Sequence, residues 1–266
     1  MFEKLFDDPR HFQMMALSSL LMAILTIYDF APSLKIIGSI FISAITTQFI
    51  FYRLFSIHSM DYRSPIITSL SLCLLFKTSL WWLYPCAAII AIASKFLLRY
   101  RDKHLFNPAN AAIVLLLLMA PNYVWVSPGQ WGNEIWLGFA LICLAGLVLG
   151  KARRMDTALF FLGAWTLLLL ARAIWLGDPL EIPMHHLQSG ALLIFAFFMI
   201  SDPMTTPNSC IGRLCFAIAV AMVTYILAYG LQIREAIFYA LFIICFITPF
   251  LDRVFQSHRY EWRKIS

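Results

Sequence analysis

The chain is a succession of long apolar runs separated by short polar stretches, and this pattern decides what it can fold into. The runs fall at about 12–30, 34–54, 65–80, 82–99, 108–120, 133–150, 156–176, 189–201, 211–230 and 235–251. A membrane-spanning helix needs about 20 apolar residues, each rising about 1.5 Å, and most of the runs meet that length. Hydrophobic residues make up 61% of the 266 positions and charged residues 13%, against about a quarter charged in ordinary soluble domains. A soluble fold of this size has no interior large enough for so much apolar surface. The expectation is an all-α polytopic membrane protein of about ten transmembrane helices, with lipid as its solvent.

Charge placement orients those helices. With the N-terminus inside and ten spans, Lys35, Lys77, Arg172 and Arg234 are the only ones of the 20 Lys and Arg residues on the outer side. Such asymmetry is what the positive-inside rule demands. It predicts cytoplasmic N and C termini in the cytoplasmic (inner) membrane. Trp81, Trp82, Trp125, Trp131, Trp136 and Trp175 fall at outer ends, as an interfacial belt does. The net charge of +6 is therefore a topology signal and gives no reason to expect a nucleic-acid partner. The opening MFEKLFDDPRHF leads into an apolar run without a small-residue cleavage site, so the first run reads as a retained helix.

The chain also repeats itself weakly. A shift of 125 positions places Ser64 on Ser189 and Lys77 on Asp202, and AIVLLLLMAP (112–121) is similar to FYALFIICFITP (238–249). This divides the single membrane domain into a first repeat, 1–130, and a second, 131–266. Five helices per half is an odd number, so the second half enters the membrane inverted. Seven runs have the length of ordinary spans, whereas those starting near Pro65, Pro108 and Ser189 are short and bordered by polar residues or Pro. In lipid a short helix is tolerated only where protein or a cavity satisfies its free backbone groups, which directs these three toward the interior. Inverted repeats with discontinuous helices hold their ligand near the midplane, where the halves meet.

The chemistry-bearing residues narrow the possibilities. The six cysteines show no C-x-x-C spacing, so no iron–sulfur cluster is expected within the chain. The six histidines lie at segment ends or in loops, which argues against axial haem ligation and mid-membrane metal binding. No self-contained catalytic motif is visible. Three polar stretches remain: HLFNPAN (104–110), HHLQSGA (185–191) and SDPMTTPN (201–208). Asn107 suits an N-cap and Pro108 the first turn that follows, while Gly190 permits close backbone approach. Taken singly, each is a helix start or a turn. Together they bring amide, hydroxyl and carboxylate groups to the ends of short helices, suited to a flat polar heterocycle. No acidic residue lies clearly mid-span, Asp29, Asp156 and Asp178 being near ends, so ion coupling is not read from the sequence.

At these stretches the chain resembles the RnfD/NqrB family of membrane flavin-binding electron-transport subunits. FNPAN (106–110) is similar to the family's F-N-P-A segment, and HLQSGALLIFAFFMISDPMTTP (186–207) to its H-L-L-S-G-A…F-F…T-D-P-V-T-A pattern. Gly212-Arg213-Leu214 matches the G-R-L that follows, TPFLDR (248–253) resembles the terminal P-L-I-D, and Ser64 and Thr68 match a weaker S-x-x-x-T. The likeness spans about residues 60–260 and is densest over 186–214. It implies a urea-transporter-like fold of two inverted five-helix repeats around a bound flavin, riboflavin or FMN. The implied flavin-binding residues are Ser64, Thr68, Asn107, Pro108, Asn110, Ser189, Gly190, Asp202, Thr205 and Thr206.

One departure is large. The family carries an extracytoplasmic loop with a D-x-x-S-x-A-T-P motif, whose Thr takes covalent FMN. Here the corresponding loop is PNYVWVSPGQWGNE (121–134), without Thr, and no Ala-Thr dipeptide occurs in the chain. Covalent attachment at that site is excluded, so a flavin is expected to be held non-covalently. The expectation is a compact, stand-alone relative that relays electrons to or from a partner at the membrane, a flavinylated or other redox protein. The alternative is a transporter or channel for a flavin or another small polar solute.

Overall fold

The computed structural model describes residues 8–27, 32–56, 61–100, 103–127, 146, 154–258 and 260. The expected run at 133–150 apart from residue 146, and Trp131, Trp136 and Asp29, lie outside them. The chain divides into two compact units, one built on Met1–Ser127 and one on Pro128–Glu261.

The first unit holds α1 (Pro9–Ile27), α2 (Leu34–Leu54), α3 (Arg63–Leu75), α4 (Leu83–Leu97) and α5 (Pro108–Met119). The second holds α6 (Met155–Leu176), α7 (Glu181–Leu187), α8 (Gly190–Ile194), α9 (Cys210–Tyr225), α10 (Ala236–Cys245) and α11 (Thr248–Val254). A π-helical turn continues α8 over Phe195–Met199, and another continues α9 over Ile226–Gly230.

Among the described residues, three helices are long and apolar enough to cross a membrane: α2, α6, and α9 with its π turn. The bent pairs α7–α8 and α10–α11, each turning by 50°, raise the number to five if each pair is one span. With large side chains such as Leu34, Ile174 and Met119 on the outer surface, the chain is a multi-pass membrane protein. Three runs expected as ordinary spans differ: over its described residues, α1 is not among the helices long and apolar enough to cross. α4 is a shorter apolar helix, and the run at 235–251 is broken after Cys245, where Pro249 opens α11 without an N–H to give the preceding turn.

Within each unit, a long helix packs along a later one: α2 along α4 and α6 along α9. α2 buries Ile40, Ala44, Thr47 and Gln48, and α4, packed on it, buries Tyr84, Ala87, Ala88, Ala91 and Lys95 among others. α6 buries Phe161, Trp165, Leu169 and Ala173, one every fourth residue, and α9, packed on it, buries Phe216, Ala217, Val220, Ala221 and Thr224 among others. Lipid supplies no hydrophobic push between helices, so close approach at Ala positions is the main source of packing attraction.

The short helices are buried nearly all round, as their bordering polar residues predicted. α3 buries Pro65 and every residue from Thr68 to Leu75, α5 buries Pro108 to Val114, and the segment from Gly190 to Met199 is buried throughout. Strand, absent from the all-α expectation, completes α3 and α5. The run 65–80 leaves the helix at Leu75 and becomes β1 (Phe76–Thr78), which pairs antiparallel with β4 (Val124–Val126) beyond α5. Phe76 lies opposite Val126, and the Ser127 N–H donates to the Leu75 carbonyl at 2.8 Å. This ladder satisfies the backbone groups that two half-length helices would otherwise leave bare in an apolar medium. A second hairpin, β2 (Arg99–Tyr100) with β3 (Lys103–His104), joins α4 to α5.

A ring of charge fixes α1 to α3. Arg10 Nη2 donates to Asp8 Oδ2 at 2.6 Å and its Nη1 to Asp61, while Arg63 donates to Asp8 Oδ2 at 2.7 Å and to Asp61 Oδ1 at 2.8 Å. Burial alone would raise the Asp61 carboxyl, but the Arg63 hydrogen bond and the Arg10 charge overcome it and bring it down to about 2.

Candidate functional site

In the first unit the candidate residues gather around the start of α3. Lys95, in the last turn of α4, is 9% exposed. Its Nζ donates to Ser64 Oγ at 2.8 Å and to Gln48 Oε1 at 3.2 Å, and Gln48 Nε2 donates to the Asp61 carbonyl at 3.3 Å. An ammonium has only donors, so the Ser64 hydroxyl accepts from Lys95 and keeps its own proton for another group. One turn on, Thr68 Oγ1 donates to the Ser64 carbonyl at 3.0 Å. The neighbouring Ser69 is fully buried, and its Oγ has no hydrogen-bond partner among the described residues.

Asn107 caps α5 as its sequence foretold. Its side chain accepts from the Asn110 N–H at 3.2 Å, Pro108 follows in the first turn, and Asn110 is wholly buried. His104 connects this start to α4, with Nδ1 3.1 Å from the Lys95 carbonyl. Burial first, then the charges of Lys95 and Arg99, push His104 down to about 3, so the ring is neutral and its Nδ1–H is the donor to that carbonyl.

In the second unit, Ser189 is the extended residue ahead of α8 and Gly190 opens it, buried. Phe195 marks the change to π geometry: the Ile200 N–H reaches back five residues to its carbonyl at 3.0 Å. Its ring sits 5.2 Å from that of Phe161 on α6 and 5.6 Å from that of Phe238 on α10. Such single π turns are frequent at functional positions. On the approach to α8, the ring of His186 meets that of Tyr229 edge-on at 6.5 Å, and Arg172 lies 4.3 Å over the same Tyr229 ring.

Asp202 organises the turn that follows. Its Oδ1 accepts the Met204 N–H at 3.0 Å, and its carbonyl accepts the hydroxyls of Thr205 at 3.3 Å and Thr206 at 3.0 Å. Asp202 is half-buried, and both Thr residues are almost wholly buried. Lys77, its counterpart by the shift of 125, lies instead in β1 opposite Trp125.

Arg213 holds the far side of this turn. Its Nε is 2.9 Å from Asp156 Oδ2, its Nη1 donates to the Asn208 carbonyl at 2.6 Å, and the Asn208 N–H donates to Asp252 at 2.7 Å. Gly212 is required beside it: a Cβ there would lie 2.7 Å from Ser209 Oγ and 3.0 Å from Pro207 Cβ. Ser209 in turn caps α9, accepting the Gly212 N–H at 3.0 Å.

The second-unit segment built in this way is the one that known proteins share. Residues 128–261, half of the chain, match the model of the NQR2, RnfD, RnfE family. The chain belongs to that family. Among curated members of the NQR2, RnfD, RnfE family, it is 33% identical over 154 residues to the RnfD subunit of the ion-translocating oxidoreductase complex of Escherichia coli strain SE11. The same figures hold for the protein of that name from Shigella boydii serotype 18, and one from Escherichia coli O1:K1 is 32% identical. These alignments cover 56% of this chain and 42% of each relative, so the chain spans less than half of their length. Ser189, Gly190, Asp202, Thr205 and Thr206 lie inside the matched range, whereas Ser64, Thr68, Asn107, Pro108 and Asn110 lie before it.

The charge pattern assigned Arg10, Lys95, Arg154 and Arg213 to cytoplasmic segments and gave no sign of their burial. All four are buried. Gln48, Asp61 and Lys95 were not singled out, and Asp156 and Asp252 were noted only as an acid near a run end and as part of the TPFLDR likeness, because what makes them matter is a partner from a remote part of the chain. The sequence did carry one signal: a glutamine and a lysine inside otherwise apolar runs.

Proposed function

We propose that this chain is an electron-transport subunit of the cytoplasmic (inner) membrane, which holds riboflavin or FMN non-covalently and exchanges electrons with a redox protein partner. The observation that carries this proposal is the family match over 128–261, which contains the whole SGALLIFAFFMISDPMTTP stretch and its Arg213 clamp. The relatives are named as subunits of an ion-translocating oxidoreductase complex, which supports a role in electron transport and in a complex. The topology proposed with it is the ten-span, inverted-repeat arrangement. Its support is a common element order: a long helix, a short buried helix, a full-length helix packed on the first, and another short helix in each unit.

The residues present suit a flavin. The polar edge of an isoalloxazine presents carbonyl and ring-nitrogen acceptors and one N–H donor. Ser64 accepts from Lys95 and keeps a proton to donate, the buried Ser69 Oγ lacks a partner among the described residues, and the Asn and Thr side chains offer both kinds of group. A bound flavin supplies one- and two-electron chemistry, while the chain holds it, excludes water and sets the polarity around it. With no Thr in 121–134, the proposed attachment is non-covalent and the partner is the flavinylated member.

The test is the colour of the purified full chain. An absorption band at about 450 nm that bleaches with dithionite is expected. A colourless protein that moves riboflavin or another small polar solute across liposomes would overturn the proposal in favour of transport.

A further inference from the structure

Lys95 has a place in the first unit that its position in the sequence does not announce. Salt-bridged side chains elsewhere in this unit meet carboxylates, as Arg10 and Arg63 do with Asp8 and Asp61. Lys95 donates to the neutral oxygens of Ser64 and Gln48, at 2.8 and 3.2 Å, while 9% exposed. Ionisable groups inside membrane proteins are costly to keep and concentrate where they have a task.

The geometry of the pair defines that task. Because Lys95 fills one acceptor site of Ser64 Oγ, the Ser64 hydroxyl keeps its proton for donation to a further acceptor. A cation bonded to the oxygen also strengthens the hydroxyl as a donor. The first-turn N–H groups of α3 add partial positive charge at the same end. Gln48 keeps Lys95 in place: its amide accepts from Nζ on one side and donates to the Asp61 carbonyl on the other. Asp61 is itself fixed by two arginines.

We infer that Lys95 is a positioning residue that commits Ser64 to donate its proton to the bound group, so that this end of the unit favours a ligand carrying negative charge. This rests on the flavin proposal, and it sets a direction: the reduced isoalloxazine, richer in negative charge, is held more tightly than the oxidised one.

The experiment is a redox titration of purified full-length protein, comparing wild type with K95M, K95R, S64A and the double variant S64A/K95M. Flavin content is measured alongside. K95M and S64A are each expected to lower the ratio of reduced to oxidised flavin affinity by about tenfold, the weight of one hydrogen bond to a charged group. For a two-electron couple this corresponds to a midpoint potential about 30 mV more negative. The double variant is expected to shift no further than either single one, since Lys95 acts through Ser64, and K95R to stay near wild type. A merely structural lysine would lower flavin content and leave the potential of the retained flavin unmoved. That result in K95M, or in S64A alone should K95M fail to fold, overturns the inference while leaving the flavin proposal intact. A wild-type protein that purifies without flavin overturns both.

Discussion

Arg213, in the first turn of α9, grips Asp156 in the first turn of α6 with its Nε 2.9 Å from one carboxylate oxygen and 3.1 Å from the other. The same guanidinium donates to the Asn208 carbonyl at 2.6 Å, so one side chain ties two helix starts to the end of the SDPMTTPN turn. Removing it leaves Asp156 without its main partner. R213A is expected to destabilise the protein by on the order of 2–3 kcal/mol, less than for a fully buried pair because Asp156 keeps some access to water. R213K should recover little of this, since a lysine cannot bridge both carboxylate oxygens and the Asn208 carbonyl. Thermal melting in detergent checks both variants, and a double-mutant cycle with D156N isolates the pair.

Gly212 is constrained by space. Its backbone lies so close to Pro207 and Ser209 that a methyl group would approach Ser209 Oγ to 2.7 Å. In G212A the serine must rotate away and give up its cap on α9, or the turn must shift. Either response is expected to cost about 1–3 kcal/mol. The melting temperature should fall, and limited proteolysis should open at the 201–209 turn before it does in wild type. Equal melting of G212A and wild type would show that the turn yields freely.

How far the sequence carried this architecture depends on the range of the interaction involved. The spans α2, α6 and α9 are local matters, set by about 20 apolar residues in a row. The short helices were equally plain at their starts, because Asn107 with Pro108, and Ser189 with Gly190, write a helix beginning in two residues. Their ends were not legible. Phe76 becomes strand because Val126 lies beside it, and nothing within FKT or VWV announces a partner from the far side of two helices. The buried cations failed for the same reason. Lys95 and Arg213 look like interfacial charges until Ser64, Gln48 and Asp156 are seen around them. The family likeness was traced from about residue 60, yet the family match begins at Pro128. The first-unit candidates therefore stand on their own geometry.

The ring of Asp8, Arg10, Asp61 and Arg63 predicts an acid-resistant contact. Arg63 and Arg10 hold the Asp61 carboxyl at about 2, below its ordinary value of 3.8. A depressed carboxyl contributes stability that is fully present above its unfolded value and is lost as pH falls through the folded one. The stability contributed by the contact between α1 and α3 should therefore hold above about pH 4, fall from there and be largely lost by about pH 2. At neutral pH, D61N should lower stability by about 1–3 kcal/mol, since it leaves two arginines sharing one carboxylate. Hydrogen exchange at the starts of α1 and α3 measures both effects, and protection in D61N equal to wild type would refute them.

His104 predicts a loss of stability in a range that is easier to reach. Its ring is held neutral by burial and by the neighbouring Lys95 and Arg99, with a folded value of about 3 against the ordinary 6.5. Between those two values the unfolded chain binds a proton that the folded one refuses, so stability falls as pH falls. The loss begins near the unfolded value of about 6.5 and grows toward the folded value, with a slope approaching ~1.4 kcal/mol per pH unit. H104Q has no such proton to take up, and its amide can still donate to the Lys95 carbonyl. Melting followed in detergent from about pH 7 to pH 5 should show wild type losing stability steadily and H104Q losing less. The difference between the two curves, and not either alone, reports this residue, because other groups titrate in both. Parallel curves would mean that the ring gains its proton in the folded protein as readily as in the unfolded chain. The contact between the β2–β3 hairpin and α4 would then have to accommodate an imidazolium beside Lys95.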